Sequence, residues 1–246
     1  METYVVRLWL PDRPGALGAV ASRIGAVRGD VIGIDILETG GGQAVDELVV
    51  RLPQDQLVGL LVSEIEQVDG VQVEFVRPVA EAVHDPRLDG LETAAVLTGA
   101  DTTEDLLQAL CTHGGRVLGA EWAAVIDLAA GSIRSGDGPV PSDAWLVAFV
   151  SGSQAAANET EPTGSDDPIS SSDTAWAPLP AAGLAVVVGR SGTPFRARER
   201  RQVSAMARIV DTRFRELARL RSRLIHPSAS VGPGEIWPGE AWPRWT

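Results

Sequence analysis

Lysine is absent from this chain of 246 residues, so all 21 of its basic residues are arginine. That absence excludes a Walker-type phosphate loop, whose lysine reaches the terminal phosphates, and a Schiff-base nucleophile. Cysteine occurs once, at Cys111. A single thiol forms no intramolecular disulfide and no cysteine zinc cluster, and it suits a reducing compartment. The three histidines, His84, His113 and His226, fall in separate segments without a His-x-x-x-His spacing, so no metal site is expected. No apolar run approaches the roughly 18 residues that span a bilayer. The first residues, Met1 to Arg7, lack a charged stretch leading an apolar one. The expectation is a cytoplasmic protein, neither exported nor inserted in a membrane.

What is present is the composition of a soluble globular protein: 44% hydrophobic and 22% charged residues, with a net charge of -12. At roughly 150 residues per domain, the length suggests two small domains. Residues 4–10 are β-branched and aromatic-rich and end at the breaker run Pro11-Asp12-Arg13-Pro14-Gly15, which predicts a strand. Leu17, Val20, Ile24 and Val27 then recur at helical spacing, with Pro14 suited to a first helical position and Gly29 to the stop. Residues 31–38 and 44–52 flank Thr39-Gly40-Gly41-Gly42-Gln43 and read as a hairpin. Leu57, Leu60, Leu61, Ile65 and Val68 mark a second helix, and residues 71–77 alternate as a further strand. The order is βαββαβ, a ferredoxin-like antiparallel sheet with both helices on one face, whose bare face needs cover.

Residues 78–90 lose periodicity and carry two prolines, as a domain boundary does. Beyond them, 91–98 and 103–118 read as helices, 122–128 and 132–135 as a hairpin, and 142–150 as a short helix. Residues 151–175 are rich in serine, acids and small residues and read as a mobile loop. A strand pair follows at 176–179 and 183–189, the second apolar enough for a sheet centre. One long helix is predicted from Arg196 to Leu224, with Val203, Ala207, Val210, Phe214, Leu217 and Leu224 on one stripe. Residues 226–246 hold four prolines and Trp237, Trp242 and Trp245, and form no regular helix or central strand. The expected division is 1–82, 83–225 and a Pro/Trp-rich tail at 226–246.

The βαββαβ order, with Asp12-Arg13-Pro14-Gly15-Ala16-Leu17 between first strand and first helix and Val68-Asp69-Gly70-Val71 before the last strand, resembles the ACT domain family over residues 3–79. The resemblance implies a regulatory module that binds amino acids or related effectors where two such domains meet. The second part resembles a GAF domain over residues 88–222. That likeness lies in Asp105-Leu106-Leu107-Gln108 through Leu118-Gly119-Ala120, Pro178-Leu179, Gly183-Leu184-Ala185-Val186-Val187, and Phe195 through Arg208. It implies a small-molecule sensing or dimerising module with a central antiparallel sheet and flanking helices. The fold class expected for the whole is therefore α+β.

An amino acid needs donors for its carboxylate and acceptors for its ammonium. A helix starting after Pro14 offers unpaired N–H groups at Gly15, Ala16 and Leu17. Gly15 lets a ligand approach the backbone, and Asp12 either accepts from the ammonium or caps the helix. Arg13 reads as a solvated charge. In the resemblance, the start of the second strand contributes too; many ACT domains carry an asparagine where this chain has Val31, with Ile32 beside it. Asp35 is either on an exposed sheet face or turned to the ligand. The candidate site is thus Asp12, Arg13, Pro14, Gly15, Ala16, Leu17, Val31 and Ile32.

Catalysis is not indicated. Cys111 and His113 point about 200° apart on a helix, and Gly189-Arg190-Ser191-Gly192 misses the Gly-x-Ser-x-Gly elbow. Cys111 reads as a small buried apolar side chain, and no cofactor is expected. Residues 196–223 hold ten arginines against three acids. Clustered arginines bind phosphate, but the chain lacks a DNA-reading motif, which favours a solvated helix face or pairing with the protein's own acidic surface over nucleic acid. Two functions lead, a homodimeric non-catalytic sensor of an amino-acid-like effector and a scaffold that docks an enzyme or regulatory partner; an enzyme is the third and has no constellation behind it.

Overall fold

The computed structural model describes residues 2–79, 86–159 and 172–225. The architecture is α+β, with two four-stranded antiparallel sheets and packed helices. The first sheet holds β1 (Glu2–Pro11), β2 (Asp30–Gly40), β3 (Gln43–Leu52) and β4 (Gln72–Val79) in the order β2-β3-β1-β4. Helices α1 (Ala16–Ala26) and α2 (Val58–Ile65) connect them. Alternation along the strands decides which side each residue serves. Tyr4, Val6, Leu8 and Leu10 of β1 and Ala44, Leu48, Val50 and Leu52 of β3 meet Val20, Ile24, Leu61 and Ile65 of the helices in one buried cluster. Arg7, directly opposite Glu47 on β3 and Phe75 on β4, belongs to the other face.

The second sheet has the order β6-β5-β8-β7. Its strands are β5 (Trp122–Asp127), β6 (Ser132–Asp137), β7 (Thr174–Leu179) and β8 (Leu184–Gly189). One face packs Ala123, Val125, Val186 and Val188 against α3 (Pro86–Gly99), α4 (Thr103–Ala109) and α7 (Ala197–Ile225), through Leu97, Leu106, Val203, Ala207 and Val210. The other face packs Ala124, Ile126, Ala185 and Val187 against Leu146 and Val150 of α6 (Asp143–Glu159). Burial on both sides makes β8 a continuous apolar run rather than an alternating one.

Several boundaries differ from the sequence reading. The helix read at 103–118 is broken by a π-helical turn at Leu110–Gly114, followed by a single turn, α5 (Gly115–Val117); the paired glycines 114 and 115 weaken the regular ladder there. The segment read as a loop from 151 is helical to Glu159, because residues 154–157 (Gln-Ala-Ala-Ala) are strong helix formers. At its other end, β7 already begins at Thr174. The remaining part of that segment at 160–171, the boundary residues 80–85 with His84, and the Pro/Trp-rich tail from 226 lie outside the described residues. The bare face of the first sheet is covered from within the chain, by the segment entering α7.

Candidate functional site

The turn between β1 and α1 is open to solvent. Asp12, Arg13, Pro14 and Gly15 are exposed, Ala16 is buried and Leu17 is half-buried against the core. Helix α1 starts at Ala16 rather than Pro14, with Gly15 as its N-cap at φ +89, a left-handed conformation that suits glycine. No side chain caps the helix, which removes the capping role for Asp12; its N–H instead donates to the Gly42 carbonyl at 2.9 Å. The Ala16 N–H is also taken, by the Arg13 carbonyl at 3.3 Å. Among the described residues no acceptor meets the N–H of Gly15 or Leu17. Two of the three expected amides are therefore available.

Val31 and Ile32 do not join this turn within one chain. Asp12 sits by the β2–β3 turn, whereas Val31 pairs with Val50 near the far end of β3. Eight residues of strand separate the two levels, about 25 Å at the usual rise. Val31 is half-buried against the helix-side core, and Ile32 is exposed.

Next to the turn lies a residue the sequence reading did not select. Asp46 of β3 stands opposite Leu8 and Ile36, on the helix-side face, and is only 3% exposed. Its Oδ1 has no hydrogen-bond partner among the described residues. Burial, helped by the charge of Asp12, pushes its carboxyl up to about 6. The signal was available: in the run 44–52 the inward positions are 44, 46, 48, 50 and 52, and 46 is the only acid among them.

On the opposite face of the sheet, charge is concentrated where the segment entering α7 crosses it. Glu199, in the first turn of α7, accepts from Arg7 at 3.1 Å, from Arg190 at 2.8 and 2.9 Å, and from the Arg196 N–H at 2.7 Å. Arg7 also pairs with Glu47 at 2.8 Å. Arg196 pairs with Glu74 and lies over the Trp9 ring, and Arg198 pairs with Asp35. Asp35 thus serves neither solvent nor the Gly15 turn. Arg190 donates to the carbonyls of Leu118, Thr193 and Pro194 at 2.7, 2.8 and 2.9 Å and stacks on Phe195. Beside this network opens a cavity of about 440 Å³ between β4, α5 and α7.

Cys111 is buried in the second domain's core, and burial raises its thiol to about 11. Among the described residues no group of three His, Cys, Asp or Glu side chains could hold a metal ion, and no helix is long and apolar enough to cross a membrane.

No family model matches the chain, and no curated protein does. Solved structures similar to parts of it include the ACT domain from a GTP pyrophosphokinase of Chlorobium tepidum, at 15% identity, covering 32% of this chain and 100% of that one, with a TM-score of 0.26. An ACT domain protein from Streptococcus pneumoniae is 17% identical over 34% of this chain and 98% of its own, with a TM-score of 0.28. An unknown protein from Galdieria sulphuraria is 16% identical over 90% of this chain and 94% of its own, with a TM-score of 0.31. None of the three is described as a GAF domain.

Proposed function

We propose that this chain is a non-catalytic regulatory sensor whose ACT-like first domain binds an amino acid or similar small zwitterion where two copies meet, with the GAF-like second domain aiding sensing or dimerisation. Asp46 carries this reading. A buried carboxylate with an unpartnered oxygen destabilises a fold unless something compensates it, and an ammonium group supplies that compensation. The exposed Asp12 carboxylate adds a second acceptor, and the free N–H groups of Gly15 and Leu17 are donors for a carboxylate. Within this proposal the effector's two charged ends find opposite partners in one turn.

The pairing of two copies is supported by β2, an edge strand whose outer side has no partner strand among the described residues. Ile32, Ile34 and Ile36 stand 42%, 46% and 55% exposed along it, and such an apolar edge is a template for strand addition. In an antiparallel β2–β2 pair about a two-fold axis, the start of one β2 lies beside the end of the other. Val31 and Ile32 of one copy then approach the Asp12 turn of the second, which reunites the two halves of the expected site. This reading describes a cytoplasmic protein that engages neither nucleic acid nor a membrane.

The test is a thermal-shift screen of the purified chain against the twenty amino acids and their close relatives. A ligand at a hundred times its dissociation constant adds about 2.7 kcal/mol to native stability, and Asp46→Asn removes the response while the variant stays folded. A screen with no positive, or a response untouched by Asp46→Asn, overturns the proposal. The apolar β2 edge also favours a second reading, a scaffold that docks an enzyme or regulatory partner without a ligand; dimers in native mass spectrometry combined with an empty screen support it instead.

A further inference from the structure

The cavity between the domains presents an uncompensated pair of cations. Among the described residues the carboxylates that line it are all engaged: Asp35 by Arg198, Glu47 by Arg7, and Glu199 by Arg7 and Arg190. Arg77 and Arg116 also line it, and among the described residues neither guanidinium has a hydrogen bond, an ion pair or a ring contact. They approach from different sides. Arg77 lies on β4 opposite Val5, on the same face as Arg7 and Phe75, whereas Arg116 lies on α5 of the second domain. The Gln202 amide of α7 is a third unpartnered polar group on the wall. Between these groups Phe75, Val79 and Val117 give an apolar surface.

We propose that this cavity is a second ligand site, for a small organic dianion held between Arg77 and Arg116 across the domain boundary. A guanidinium binds carboxylate and phosphate oxygens through paired N–H donors and stays charged at any working pH. Two of them on one cavity, with every lining carboxylate among the described residues already neutralised, select two negative charges. The volume of about 440 Å³ lies in the range of small-molecule sites, and the apolar wall accommodates a short carbon skeleton. Dicarboxylates and phosphomonoesters share this chemistry. The site is separate from the Gly15 turn, which lies beyond the other face of the same sheet, so occupancy here does not depend on the effector reading.

The experiment is calorimetric titration of the full chain with succinate and with glycerol 3-phosphate, against butyrate and glycerol as controls, at an ionic strength fixed with sodium chloride. At least one dianion is expected to bind more tightly than its control, and which one does so distinguishes the two sources. Arg77→Ala and Arg116→Ala, both at exposed positions, should each weaken that binding about tenfold, the loss of one charge-assisted hydrogen bond. The double variant should bind no better than control, and Asp46→Asn should bind as the unaltered chain does. Equal binding of dianions and controls overturns the proposal, as does dianion binding that persists in a double variant shown by circular dichroism to be folded.

Discussion

Replacing Glu199 by glutamine keeps its shape and removes the charge on which the contact between the domains converges. Glu199 is 7% exposed and serves Arg7 and Arg190, themselves 3% and 8% exposed. Burial pulls the Arg7 guanidinium toward neutrality, but the charges of Glu199 and Glu47 outweigh it and hold the pKa above its ordinary value. At Arg190 burial outweighs Glu199, and the pKa falls below its ordinary value. Removing one partner of a buried ion pair costs about 3 to 5 kcal/mol, because the remaining charge is left uncompensated. Arg7 keeps Glu47, and Arg190 keeps three carbonyl oxygens, so the lower end, about 3 kcal/mol, applies. With a urea dependence of about 2 kcal/mol per molar, the midpoint falls by about 1.5 M. Urea titration followed by tryptophan fluorescence measures it, with Glu216→Gln as the exposed comparison. That surface pair with Arg213 is worth under about 1 kcal/mol. A midpoint shift for Glu199→Gln no larger than that of Glu216→Gln would refute the claim that this network holds the domains together.

Asp46 predicts a pH dependence of definite sign. Its carboxyl titrates near 3.8 unfolded and about 6 folded, so between those values the native state holds a proton the unfolded chain has lost. Stability therefore falls as pH rises from about 4 to 6, by about 2 to 3 kcal/mol, and is full below that window. Asp46→Asn should remove this slope and be the more stable protein at pH 8; urea midpoints that differ from the unaltered chain by a constant amount across pH 4 to 8 contradict it. The Cys111 thiol, buried and raised to about 11, should react with an aromatic disulfide reagent at pH 8 only in denaturant, and stoichiometric labelling of the native protein contradicts its placement. A Cβ at Gly189 would stand 2.2 Å from the Trp122 ring. Gly189→Ala should lower stability by about 1 to 3 kcal/mol through overpacking, read as a fall in melting temperature.

The parts of the fold that were legible in the sequence are those written by local periodicity. Alternation marks which residues of β1 and β3 face the helices, and the glycine-rich turn at 39–43 marks the β2–β3 hairpin, whose register then shifts twice, between Val31 and Gly33 and between Ile36 and Glu38. The 3.6-residue stripe located α7 to within a residue at each end. What escaped was set by partners distant in sequence. Asp12 looks like a helix cap, yet the helix starts at Ala16, one residue beyond the left-handed Gly15, and no side-chain cap forms. Asp35 looks like a solvated mid-strand acid until Arg198, 163 positions away, arrives over it. The outward parity of Arg7, Glu47, Glu74 and Asp35 was readable strand by strand, but their convergence on one helix turn required the tertiary structure. Asp46 is a different case: its inward position is visible in the alternation of 44–52, but the rule that acids stay at the surface argues against burying it.

These two sets of charges make different demands on the same sheet. On the α7 side, each buried carboxylate meets a guanidinium, which fixes the position of the second domain over β1, β3 and β4 with the directional constraint that an apolar contact lacks. On the helix side, Asp46 remains unmatched and raises the free energy of the isolated fold. A four-stranded sheet cannot easily flex between faces that are both close-packed. Under the proposed function, a charge brought to Asp46 at the Gly15 turn would meet strands β1 and β3, whose outward side chains Arg7 and Glu47 are joined to each other and, through Arg7, to Glu199 of α7. The same two residues that pair across β1 and β3 also border the cavity between the domains. Were both proposed sites occupied, ligand at the turn and dianion in the cavity would border one shared element, and any coupling between them would change each affinity by the same factor. Titrating the dianion in the presence and absence of a positive from the amino-acid screen measures that factor directly, and a value of one would show that the sheet insulates its two faces.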